Sequence, residues 1–164
     1  MTDNSARIHI AASDPAFPAK REAAVAAICA AINTIAAPLG YICKGSTWSR
    51  QTKQGRSAIN LHRDRFGWHA RINLRFLTPD GDYPHSGDWA LSCGDDIRIQ
   101  NFYLPQECAD QDFGEIFYLD VHNNPASLDQ PMRILRTRAL PWLDAHHQGR
   151  PSIASYLAKA NGLP

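Results

Sequence analysis

The chain has 164 residues, 44% hydrophobic and 20% charged, which suits one globular domain and excludes a disordered or fibrous polypeptide. Seventeen basic against sixteen acidic side chains leave a formal net charge of +1, too little for a whole-molecule field that gathers nucleic acid or an anionic bilayer. Cys29, Cys43, Cys93 and Cys108 stand far apart with no Cys-x-x-Cys pair, which disfavours a zinc knuckle or dithiol redox pair and predicts buried free thiols.

Residues 1–13 lack a clear period, although Arg7-Ile8-His9-Ile10 suits a short edge strand or a flexible N-terminus. Asp14-Pro15 and Phe17-Pro18 then supply helix-start chemistry, because aspartate accepts from free amides and proline suits a first turn. Val25, Ile28, Ile32, Ile35 and Leu39 follow the three-and-four spacing of a core-facing stripe. The basic pair Lys20-Arg21 before this alanine-rich run imitates a secretory leader. Its distance from Met1, Glu22 and Asn33 favour an amphipathic helix instead, and with it a cytoplasmic protein.

Pro38 and Gly40 stop the helix. Residues 41–43 and 47–51 read as short strands, and Lys53-Gln54-Gly55 as a turn. In residues 57–65 the period becomes two, with Ile59, Leu61 and Arg63 on one side and Asn60, His62 and Asp64 on the other. Gly67 permits a reversal into the clearest strand, where Trp68, Ala70, Ile72, Leu74 and Phe76 alternate with His69, Arg71, Asn73 and Arg75. Residues 82–88 form a polar loop, 89–93 and 97–99 suggest a hairpin, and 115–121 read as a last strand. Leu128, Met132, Leu135 and Ala139 return to a helical face that Pro141 bends or restarts, leaving Trp142 and Leu143 on the core. A short final helix spans residues 152–160. The expected fold is one α+β domain over residues 1–164: an antiparallel β-meander of about five strands, packed by an N-terminal helix and C-terminal helices.

Gly40-Tyr41, Lys44-Gly45, Thr47-Trp48 and Arg50, followed by Ala58-Ile59-Asn60-Leu61, Ile72-Asn73-Leu74 and Leu140-Pro141-Trp142-Leu143, resemble an uncharacterised bacterial domain-of-unknown-function family. The resemblance covers residues 20–145 and implies a fold, with no catalytic residues to carry over. Members of that family include suspected immunity-type or accessory binders, which implies another protein, a toxin included, as partner.

Several constellations admit chemistry. His62 and Asp64, with Asp120 and His122, offer two imidazoles and two carboxylates for a metal-assisted hydrolase if their strands meet; the plainer reading is a hydrogen-bonded polar face. Arg63, Arg65, Arg71 and Arg75, beside Trp68 and His69, suit phosphate binding, but alternation splits them between two faces, so nucleic acid is the less favoured partner. Trp48, Trp68, Trp89 and Trp142 read as core panels before a ligand cage. His146-His147 at a helix end reads as donors near terminal carbonyls. No Gly-x-Ser-x-Gly elbow, phosphate loop or dinucleotide fingerprint occurs, and Cys93 needs a histidine close in space to act as nucleophile.

The sequence therefore points to a binding module without a cofactor that uses the outer strand face, with Arg71, Arg75, Tyr83 and His85 as contacts to another protein. No membrane partner is expected.

Overall fold

The computed structural model describes residues 4–63, 69–80, 97–98, 102, 117–118 and 128–149. Helix α1 (Asn4–Ser13) and helix α2 (Phe17–Ala36) lead into a 3-10 turn (Ala37–Leu39). Strands β1 (Ile42–Lys44), β2 (Thr47–Thr52), β3 (Gly55–Arg63) and β4 (His69–Leu77) form an antiparallel meander in chain order. Two-residue pieces β5 (Ile97–Arg98) and β6 (Phe117–Tyr118) both pair antiparallel with β4. Helix α3 (Asp129–Ile134), a π-helical segment (Leu135–Ala139) and helix α4 (Leu140–His147) complete the order. This is an α+β domain with helices before and after an antiparallel sheet, which among the described residues has four longer strands and two two-residue pieces.

Helix α1 replaces the expected edge strand. The alternation at Arg7 to Ile10 lasts only four residues, the alanines after it favour helix, and Ser13 Oγ donates back to the His9 carbonyl at 2.8 Å. Asp14 then accepts from the Ala16 amide at 2.9 Å and the Lys20 ammonium at 2.6 Å. Those two bonds, the ammonium's first, hold its carboxyl below the usual aspartate range.

Helix α2 buries Phe17, Ala24, Ile28, Ile32 and Ala36, while Val25 and Ile35 only flank the core. The buried stripe is thus centred on Ile28 and Ile32, and the alanines allow the backbone to approach the sheet. Leu39 is 48% exposed, against expectation, because the 3-10 turn winds it off the helical stripe. Gly40, at φ 86°, takes the left-handed cap and returns its amide to the Ala37 carbonyl. Phe17–Leu39 is long and apolar enough by length and composition to cross a membrane, and it lays its isoleucines on the sheet core.

The strands alternate as their sequences predict. Ile59 and Leu61 on β3 and Ala70, Ile72, Leu74 and Phe76 on β4 are buried under the helices, joined by Trp48 on β2. Each fully buried isoleucine or leucine contributes about 1.5–3 kcal/mol relative to exposure. Trp48 donates its indole N–H to Asn33 Oδ1 at 3.2 Å, so the one polar atom of that side chain is satisfied. Trp48 and Trp142 are core panels, as expected; Trp68 and Trp89 lie outside the described residues. Cys29 is half-buried, with burial pushing its thiol up, whereas Cys43 is exposed on β1, where every residue is exposed, so the expected buried thiol fails there.

The π segment before α4 has a local cause. Pro141 has no amide to return to the residue 137 carbonyl, and its ring crowds that turn, so the chain widens for one turn before resuming. Leu128, Met132, Leu135 and Ala139 are buried, as are Trp142 and Leu143 beyond the proline. Arg138 follows them inward and donates to the Phe102 carbonyl at 2.8 Å, while the Phe102 ring meets Trp142 edge-on at 5.6 Å. The predicted 89–93 strand and final helix lie outside the described residues.

Candidate functional site

Two polar regions face opposite sides of the sheet. The first lies beneath α4. His147 Nε2 sits 2.7 Å from Ser57 Oγ, and its Nδ1 lies 2.6 Å from Thr52 Oγ1. Ser57 in turn donates to the Tyr41 hydroxyl at 3.0 Å. Beside this chain Arg50 pairs with Asp144 at 3.0 Å. Burial, then the Arg50 charge, depresses the His147 imidazolium, and burial also raises the Tyr41 phenol. Both groups are therefore neutral around pH 7.

A serine within hydrogen-bond reach of an imidazole is the geometry of an activated nucleophile. Here Ser57 is 0% exposed, already donates to a phenol, and lies under helix and sheet, so no substrate carbonyl reaches it. The cluster instead ties α4 to β2 and β3. Ser57→Ala leaves the His147 and Tyr41 polar atoms without that partner and is expected to cost about 1–3 kcal/mol in urea unfolding. A loss under about 0.5 kcal/mol shows that the chain holds nothing.

The sequence reading of His146-His147 is corrected by this arrangement. Neither ring serves the helix carbonyls: His147 bonds to the sheet, and His146 stacks on Phe76 at 4.9 Å and meets Trp142 edge-on at 4.6 Å. Amide-ladder geometry at a helix end is visible in sequence, whereas the approach of β2 and β3 is a tertiary fact.

The second region is the outer sheet face. Pairing Ala58 with Arg75, Asn60 with Asn73, Arg56 with Leu77 and His62 with Arg71 puts all eight on the side away from Ile59 and Leu74. Lys44 and Thr47 pair with one another, and Thr47 pairs with Asn60, so both extend the same side. Strands β1 to β4 carry Lys44, Arg50, Arg56, Arg63, Arg71 and Arg75, and no aspartate or glutamate. Of these cations, Lys44, Arg56, Arg71 and Arg75 lie on the outer side.

The near-neutral total hides this segregation. Residues 81–127 hold nine acidic side chains and a single arginine, Arg98, so the balance is struck between different stretches of chain. Lys44, Arg56 and Arg71 join no ion pair among the described residues. Arg63, by contrast, points to the helix side and reaches Glu22 at 3.3 Å.

The outer side is indented. A groove of about 270 Å³ is lined by Thr47, Arg56, Ala58, Asn60, Asn73 and Arg75, with Leu77 at one end. Ala58 makes the space, since its methyl stands between long neighbours. Asn60 donates to Thr47 Oγ1 at 2.8 Å. Asn73 is only 7% exposed, and its Oδ1 is buried without a partner among the described residues, as is Arg71 Nε. An unpaired buried carbonyl costs about 1–3 kcal/mol.

No family model, curated protein or solved structure matches this chain. The site must therefore be read from its own chemistry.

Of the four contacts read from sequence, Arg71 and Arg75 share this outer side, while Tyr83 and His85 lie outside the described residues. Of the metal constellation, His62 is exposed and opposite Arg71; Asp64, Asp120 and His122 lie outside the described residues. Among the described residues no cluster of three or more His, Cys, Asp or Glu is placed to hold a metal ion. Sequence reading missed Arg56, Lys44, Thr47, Asn60 and Asn73 as members of the face. Strand alternation carried the signal for Arg56, two positions before Ala58, but only the register joins it to Arg75.

Proposed function

We propose that this protein is a non-catalytic protein-binding module, of immunity or accessory type, whose outer sheet face receives an acidic surface of another protein, a toxin included. The observation that carries the reading is the run of cations on that face with no carboxylate anywhere in its four strands. Arginine forks meet carboxylates bidentately and lose less entropy per bond than lysine does. An antiparallel face also offers a rigid platform, since neighbouring strands hold each side chain. Ser57, 0% exposed beside the buried His147, leaves the described polar cluster without a reacting position, which favours binding over catalysis.

Hexaglutamate peptide titrated into the full chain is the direct test. Wild-type protein is expected to bind it with an affinity that falls steeply between low and physiological salt. Arg56→Glu combined with Arg71→Glu is expected to weaken binding at least about tenfold, because each substitution replaces attraction by like-charge repulsion. Unchanged affinity in that variant overturns the placement. A single-stranded oligonucleotide runs in parallel; tighter binding to it than to hexaglutamate overturns the protein-partner reading in favour of nucleic acid.

A further inference from the structure

We infer that the groove along Ala58 is an anchoring subsite for one carboxylate with a neighbouring amide N–H, the pair of groups that an acidic residue of a peptide carries. This rests on the proposed binding of an acidic partner and names the place and chemistry of its anchor.

Three observations converge on the groove. Arg56 and Arg75 stand at diagonal positions of β3 and β4, since Arg56 faces Leu77 and Arg75 faces Ala58. Diagonal neighbours lie about 7–8 Å apart, so Arg56, which joins no ion pair among the described residues, reaches a carboxylate in the groove that Arg75 also lines. The volume of about 270 Å³ holds one or two amino-acid residues and no more, so it is an anchor point within a larger contact. Asn73 supplies the third, independent observation: a side chain more than nine-tenths buried, lining the groove, with a carbonyl oxygen that has no donor among the described residues.

The terminal torsion of asparagine is soft. A turn about that bond brings Oδ1 to the groove, where a ligand amide N–H supplies the missing donor. Asn60 is held by Thr47 and keeps its own orientation, so the two asparagines divide the work: one is fixed and one answers the ligand. The ligand is thereby read at two points, charge at the arginines and a peptide N–H at Asn73. A bare anion satisfies only the first.

The experiment compares hexaglutamate bearing a free C-terminus with its C-terminal amide, titrated into wild-type protein and into Asn73→Leu and Ala58→Phe variants. Leucine matches asparagine in size and removes the orphaned oxygen, so Asn73→Leu is expected to fold at least as well as wild type. Ala58→Phe fills the groove with a residue that strands accept. Both are expected to weaken the peptide about tenfold or more, while Lys44→Glu, which lies off the groove, weakens it less. Equal binding of the two peptide forms assigns the anchor to a side-chain carboxylate, and binding of the free acid alone assigns it to a C-terminal one. Undiminished binding in both groove variants, with charge reversal at Arg71 still effective, overturns the subsite and leaves the cationic face standing. Absence of binding to either peptide in wild type overturns both.

Discussion

Lowering the pH from 7 to 4 is expected to strip on the order of 3 kcal/mol from the folded state through His146 alone. Its ring is buried between Phe76 and Trp142, its Nε2 has no partner among the described residues, and burial, with the adjacent His147, drops its pKa from 6.5 to about 4. The sign follows from proton counting. Above pH 6.5 the ring is neutral in both folded and unfolded chains, so its contribution is complete. Between 6.5 and about 4 the unfolded chain binds a proton that the folded chain refuses, so each unit of acidification costs the fold up to about 1.4 kcal/mol. His147 acts in the same direction, since burial and the Arg50 charge depress it against the smaller pull of Asp144. Among the described residues the charges behind the two shifts are His147 for His146, and Arg50 and Asp144 for His147.

The measurement is urea unfolding at pH 8, 6.5, 5 and 4. Wild-type stability is expected to be flat from 8 to near 6.5 and to fall below it. His146→Leu removes the titrating group while keeping an apolar side chain among the rings, and its profile is expected to lose most of the slope between 6.5 and 4. A variant profile parallel to wild type disproves the assignment.

Gly55→Ala carries the second large effect. Gly55 opens β3 at φ 146°, a region that side chains rarely adopt. A Cβ there falls on the Leu77 carbonyl oxygen of β4 and comes within 2.9 Å of the Phe76 ring. The neighbouring pair Arg56–Leu77 belongs to the β3–β4 ladder, so relief requires that end of the ladder to part. Strain of this kind plus a lost ladder bond is worth about 3 kcal/mol or more. Thermal unfolding is the check, and a loss below about 1 kcal/mol contradicts the close approach. The same displacement moves Arg56 and Leu77 at the mouth of the groove, so peptide affinity is expected to drop even where the variant stays folded.

Much of the architecture is decided by short-range sequence. Proline at position 18 and the Asp14 turn start α2, and Gly40 stops it. Alternation from Ala70 to Phe76 sets which face of β4 is buried. These are properties of residues within a few positions of each other, so period and punctuation reveal them. The α+β class and the burial of Trp48 and Trp142 follow from the same local rules.

Other features depend on which strand lies beside which. A cationic face on a chain of net charge +1 exists because register collects Lys44, Arg56, Arg71 and Arg75 while the acids fall elsewhere. His147 reaches Ser57 and Thr52, some ninety positions away in the chain, only because Pro141 and the π segment aim α4 at the sheet. Position 55 needs glycine because β4 passes so near. Each is a contact between distant stretches, and local chemistry holds no record of the distance that folding closes.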